Sequence, residues 1–239
     1  VEALRKIEPF LRKTSSEGGW RIVLIEDADT MNRSAQNAIL KILEEPPANV
    51  LIVLVAHRPG MLIPTIRSRA RVIPFEPLSA ENMQNLLKRQ GVSLSMGDMD
   101  ALADISEGSI GQALKYAEEG GLDMLTKVLG YLDQAPNYNW EEIHKLANSL
   151  GVAAQDKDYR LFTEMMQWVF RKMLFLKSRG HSALPSYMDK DGARHIYAQY
   201  SIEKLVDVTD ALKNHFDRIE YANLDRRDAV RSAFLVIDQ

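Results

Sequence analysis

The chain has 239 residues, 46% of them hydrophobic and 26% charged, with a net charge of -3 and no cysteine. That length holds one large domain or two to three small ones, and the balance is ordinary for a soluble globular protein. Disulfides and thiolate metal sites are excluded, a reducing cytosol fits, and the negative balance argues against a chain whose whole surface coats nucleic acid.

The chain starts at Val1, inside a helical pattern (Leu4, Ile7, Phe10, Leu11) predicted over residues 1–13. We therefore expect a fragment or a processed chain; no signal peptide pattern is visible. No apolar run approaches the roughly 20 residues of a membrane span. Ser15, Ser16, Gly18 and Gly19 form a turn into the apolar run Ile22-Val23-Leu24-Ile25. A run that short and apolar suits a strand buried on both faces. Glu26 and Asp27 follow at once. A helix starts at Asn32, a good N-cap, and carries one apolar stripe at Ala35, Ala38, Ile39, Ile42 and Leu43. Pro46-Pro47 stops it, and a second apolar run covers Val50–Val55. Strand, helix, strand is a parallel βαβ unit. Its working groups belong just past the strand ends, at Glu26, Asp27 and the turn Ala56-His57-Arg58-Pro59. Val72–Phe75 reads as an edge strand or a strand end, because Pro74 lacks a donor.

Pro77 ends the sheet region. Three short helices follow at 79–90, 97–106 and 109–118, with Ser79 as a cap, and Gly120-Gly121 is the next linker. Beyond it the spacing predicts only helices, at 122–133, 139–150, 156–179, 192–213, 213–223 and 225–238. Residues 180–191 are the longest irregular connection, and Asp225 caps the last helix. The fold class is thus α/β followed by all-α.

Two acids after a short strand suit a magnesium ion and a hydrolytic water, but acids there also cap turns, and the pattern alone leaves both readings open. Arg67, Arg69 and Arg71 alternate, so on an extended chain they point one way, either as a solvated basic edge or as a reaching guanidinium. Asp189-Lys190-Asp191-Gly192 begins like a calcium loop, but Tyr200 stands where the twelfth-position acid belongs, so it reads as a turn. The five histidines show no metal spacing, and the aromatic and Met residues from Met165 to Phe175 read as core. Lys172, Lys177 and Arg179 suit either a helix C-terminus or contact with DNA.

Taken together, IVLIEDADTM, NAILKILEEPP, RSRAR at 67–71, EGSIGQAL at 107–114 and ANLDRRDAV at 222–230 resemble the clamp-loader branch of the AAA+ proteins, which includes the bacterial DNA polymerase III gamma/tau and delta-prime subunits. The first string looks like a Walker B strand and RSRAR like an arginine-finger motif, with Arg69 as the finger. His57 falls near the first sensor and Gly111 where a second-sensor arginine is usual. The acid order is Glu26-Asp27 rather than Asp-Glu, and no GxxxxGK[ST] occurs. The missing loop belongs upstream of Val1 in a fragment, while the acid order and Gly111 are internal and together are similar to the non-hydrolysing delta-prime type. The resemblance implies three parts: residues 1–76, the C-terminal portion of a AAA+ module; 77–120, a helical lid; and 121–239, a helical collar for oligomerisation. It implies a cytoplasmic stator in the DNA polymerase III holoenzyme, assembled with gamma/tau and delta subunits, loading a sliding clamp onto primed DNA. ATP and magnesium would sit at a neighbouring subunit's site, completed in trans by Arg69. The rivals are an active gamma/tau-type ATPase with an atypical Walker B and a plain DNA-binding helical protein. In such a family the P-loop strand lies between the sensor strand and the one after the finger. Without it we expect either a gapped sheet or a displaced 71–75 segment.

Overall fold

The apolar runs become β1 (Arg21–Ile25) and β2 (Val50–Leu54), paired in parallel with Arg21 opposite Val50 and Ile25 opposite Leu54. The pairing is seen in a computed structural model that describes residues 7–12, 19–152 and 155–238. It divides into two compact units, Val1–Phe75 and Glu76–Gln239. In the first, α1 (Ile7–Arg12) precedes β1, and α2 (Arg33–Glu44) joins the two strands. The Asn32 side chain accepts a hydrogen bond from Ala35 N at 2.9 Å, as its capping role requires. A short helix α3 (Pro64–Arg67) follows, with proline at its start, where the missing N–H costs nothing. Ile39 of α2 and Ile66 of α3 pack with Ala28 and Leu62, backed by Ile25, Ile52 and Leu54 of the sheet.

Two expectations change here. The strands are not covered on both faces: burial alternates along each, and Ile22, Leu24, Leu51 and Val53 remain exposed. Only the face turned toward this apolar cluster is covered, so the run is continuous in sequence but one-sided in space. Second, no strand forms at Val72–Phe75, and among the described residues the sheet has two strands. Pro74 cannot donate to a ladder, and Phe75 is 95% exposed.

The second unit is helical. Three short helices, α4 (Ala80–Arg89), α5 (Met96–Ile105) and α6 (Ile110–Glu119), are each capped by a serine side chain, Ser79, Ser95 and Ser109. Between α5 and α6, Gly108 lies at φ 78°, and a Cβ there would come within 2.5 Å of Pro77 Cβ. Only glycine allows that turn to close on the segment leading into α4. Six longer or later helices follow: α7 (Gly121–Leu132), α8 (Trp140–Leu150), α9 (Asp156–Ser178), α10 (Asp191–Gln199), α11 (Ile202–Ala222) and α12 (Arg226–Asp238). The central α9 packs on α7, α8 and α11 and buries Phe162, Met165, Met166, Phe170 and Met173. One continuous core runs from Met83 on α4 to Ile237 on α12, so the three short helices and the later ones share it.

The helix expected at 192–213 is broken. Tyr200 is extended (φ -81°, ψ 129°), and the break falls at 200–201 instead of at 213. Ser201 then caps α11 by accepting from Lys204 N at 3.1 Å, and Tyr200 donates from its hydroxyl to Ile237 O at 2.7 Å. A cap and a cross-helix bond decide a boundary that periodicity runs through.

Candidate functional site

The site of the first unit grows from the end of β1. Glu26 and Asp27 are both exposed there. Asp27 takes a left-handed conformation (φ 48°, ψ 41°), and the turn closes into one 3-10 turn, Ala28–Thr30, with the Thr30 hydroxyl donating to Asp27 O at 2.8 Å. Asx residues tolerate this region better than most. The reversal sends the next acid inward. Asp29 is only 5% exposed and accepts from the backbone amides of His57 and Arg58, both at 3.2 Å. Arg58 Nε approaches the same carboxylate at 3.5 Å. Burial by itself raises the Asp29 pKa. The amides of His57, Asp29 and Arg58 and the Arg58 side chain outweigh it, and the carboxyl is held below its ordinary 3.8.

The His57 ring meets Asp27 instead: Nε2 lies 3.4 Å from Oδ1. The structure thus brings the sensor-position histidine and the second strand-end acid together. A second polar tie comes from α2. The buried Gln36 donates to Met31 O at 2.9 Å and accepts from Ile63 N at 2.8 Å, which fixes the loop entering α3.

Arg69 sits just past α3. It does not lie on an extended chain in an alternating row with Arg67 and Arg71. Arg67 is the last residue of the helix, and the amides of Arg69 and Ala70 both bond Ile66 O at 3.1 Å. Pro64 presets the helical turn that bends this stretch. The Arg69 guanidinium stays at the surface. Nη2 lies 2.8 Å from Glu44 Oε1, and Nη1 donates to Thr65 O at 3.0 Å. Gly111 belongs to the second unit, as the second residue of α6, with open space where a side chain would extend.

Other candidates resolve into structure. Lys172 pairs with Asp104 at 2.7 Å, Lys177 donates to the carbonyls of Tyr197 and Tyr200, and Arg179 covers the Phe175 ring at 4.9 Å. Asp189 pairs with Arg194 at 2.7 Å, as a turn residue. Among the described residues no group of three or more His, Asp or Glu is placed to hold a metal ion.

Three residues with a part in this site are not singled out by sequence reasoning: Asp29, Gln36 and Glu44. Asp29 and Gln36 act on partners 28 and 27 positions away. Glu44 lies inside the quoted LEEPP string, and only its distance to Arg69 gives it a role.

The family model described as DNA polymerase III, delta subunit, matches residues 1–79. The delta' subunit of DNA polymerase III from Pseudomonas aeruginosa is 37% identical over 111 residues, covering 39% of this chain and 33% of that protein. The delta' subunit from Escherichia coli is 35% identical over 114 residues, covering 48% and 34%. A replication factor C small subunit from Methanococcus maripaludis is 25% identical over 180 residues, covering 70% of this chain and 56% of its own length. The chain thus spans about a third to a half of the curated relatives it matches. Among solved structures, a DNA polymerase III gamma subunit-related protein from Thermotoga maritima aligns with 99% of this chain and 78% of its own, at a TM-score of 0.51 and 19% identity, a likeness of fold. With the Walker B-like strand, the LEEPP helix and the RSRAR turn all in place, the first third of the chain is similar to the DNA polymerase III delta and delta-prime subunits of clamp loaders.

Proposed function

We propose that this chain works as a non-hydrolysing, delta-prime-type stator of a bacterial clamp loader. It assembles in the cytoplasm with gamma/tau and delta subunits and supplies Arg69 in trans to a neighbour's ATP, so that the sliding clamp is loaded onto primed DNA. The observation that carries this reading is Arg69 itself. Its backbone is fixed to α3 while its guanidinium stays at the surface of the first unit. A rigid, permanently charged fork held that way is suited to meeting phosphoryl oxygens across an interface. The reversed acids and the glycine at position 111 support a subunit that does not hydrolyse ATP itself.

The test is ATP turnover by a reconstituted clamp loader with clamp and primed DNA, comparing this subunit with its Arg69→Ala form. Loss of an arginine finger lowers turnover at the neighbouring site by on the order of 10³, with assembly intact. Unchanged turnover would leave Arg69 a surface charge. ATP turnover by this chain alone would replace the stator with an active ATPase that has an unusual strand-end acid pair.

A further inference from the structure

Glu44 closes α2, and a second acid, Glu45, follows it. A carboxylate at the C-terminal end of a helix lies at the negative end of the helix dipole, where it is disfavoured. Here the Glu44 carboxylate has a partner: Arg69 Nη2, at 2.8 Å. The other terminal nitrogen of that guanidinium, Nη1, donates to Thr65 O at 3.0 Å and approaches Ser68 Oγ at 3.4 Å. Both terminal nitrogens are therefore engaged within the chain. A phosphate that takes the fork in the bidentate manner has to displace Glu44, the one charged acceptor among these partners. The pair is open to water, with side chains 36% and 49% exposed, and exposed pairs add little to stability. Its weakness makes it releasable.

We propose that Glu44 is a positioning residue that acts through Arg69. It holds the guanidinium over the end of α2 and yields it only to a stronger anion, the phosphoryl group of a nucleotide presented by a neighbouring subunit. This rests on the reading of Arg69 given above. The latch makes the competent arrangement of Arg69 a fraction of the total, and the apparent affinity for the anion falls by that fraction.

The experiment uses the reconstituted clamp loader with clamp and primed DNA, and four forms of this subunit: unaltered, Glu44→Gln, Arg69→Ala and the double variant. Glu44→Gln is expected to lower the KM for ATP about two- to fivefold, with kcat little changed. The double variant should match Arg69→Ala. An unchanged or raised KM in Glu44→Gln, with Arg69→Ala still inactive, overturns the latch and keeps the finger. If Arg69→Ala has no effect, the finger itself fails. Should Glu44→Gln not fold, Glu44→Asp, one methylene shorter, carries the same expectation. A second readout separates a latch from a scaffold role. Added salt should narrow the KM difference between the unaltered form and Glu44→Gln, because salt screens the exposed pair. A difference that persists at high salt counts against the latch.

Discussion

Asp29 joins two loops that are 28 residues apart, and it does so as an anion that receives the amides of His57 and Arg58. Burial raises its pKa, but those amides, its own amide and the Arg58 side chain outweigh burial, so the folded value lies below the ordinary 3.8. The unfolded chain therefore takes up the proton first, and Asp29 contributes stability above its ordinary value. That contribution is lost as the pH falls through the lower, folded value. Asp29→Asn keeps an acceptor but brings an N–H₂ group toward backbone donors. We expect a lower thermal midpoint at neutral pH and a shallower loss of stability on acidification, read by circular dichroism melts taken from neutral pH downward. The same steep acid limb in both forms would remove Asp29 as its cause. Asp27 and His57 are legible in the sequence because they hang on a local motif. Asp29 is not, since an acid run after a strand does not say which carboxylate turns inward. The left-handed Asp27 decides that, and it appears only once the turn is built.

Helix starts were readable wherever the signal was a side chain next to its target. Asn32 and Ser79 do what their positions imply, and Ser95, Ser109, Asn139 and Ser201 cap their helices in the same way. The boundary between α10 and α11 was not readable, because neither glycine nor proline marks it and the helical spacing continues through it. What places it is tertiary: the Tyr200 hydroxyl reaching Ile237 O, with the Ser201 cap beside it. Ser201→Ala should therefore cost about 1 kcal/mol of stability. Urea unfolding checks this, and Ser201→Asp, an equally good cap, should recover most of the loss. An undiminished midpoint in Ser201→Ala would mean that the Tyr200 bond sets the boundary by itself. The strip Val72–Phe75 shows the opposite failure. Its residues suit a strand, but a strand needs a partner edge, and no local pattern reports whether one is there.

At the scale of the whole molecule, the helical unit depends on a shared centre. Phe234 of α12 packs edge-on against Tyr131 and Tyr138, at centroid distances of 6.0 and 5.5 Å, and lies 6.4 Å from Phe162 of α9. Removing so large a buried ring leaves a cavity, and Phe234→Ala should cost about 3–5 kcal/mol. Hydrogen exchange locates the damage: amides of α7 to α12 should exchange faster while those of β1 and β2 keep their rates. Equal acceleration in the strands would mean that the two units unfold as one. That the later chain is helical could be read from periodicity. That Leu102 and Ala113 of the short helices join the same core as Val128 and Phe162 could not, because period says which face is apolar and not what meets it. The shared core has a mechanical meaning. Close-packed interiors have low compressibility and transmit strain. A push on α11 or α12 therefore reaches α4–α6 through packed side chains instead of being absorbed on the way.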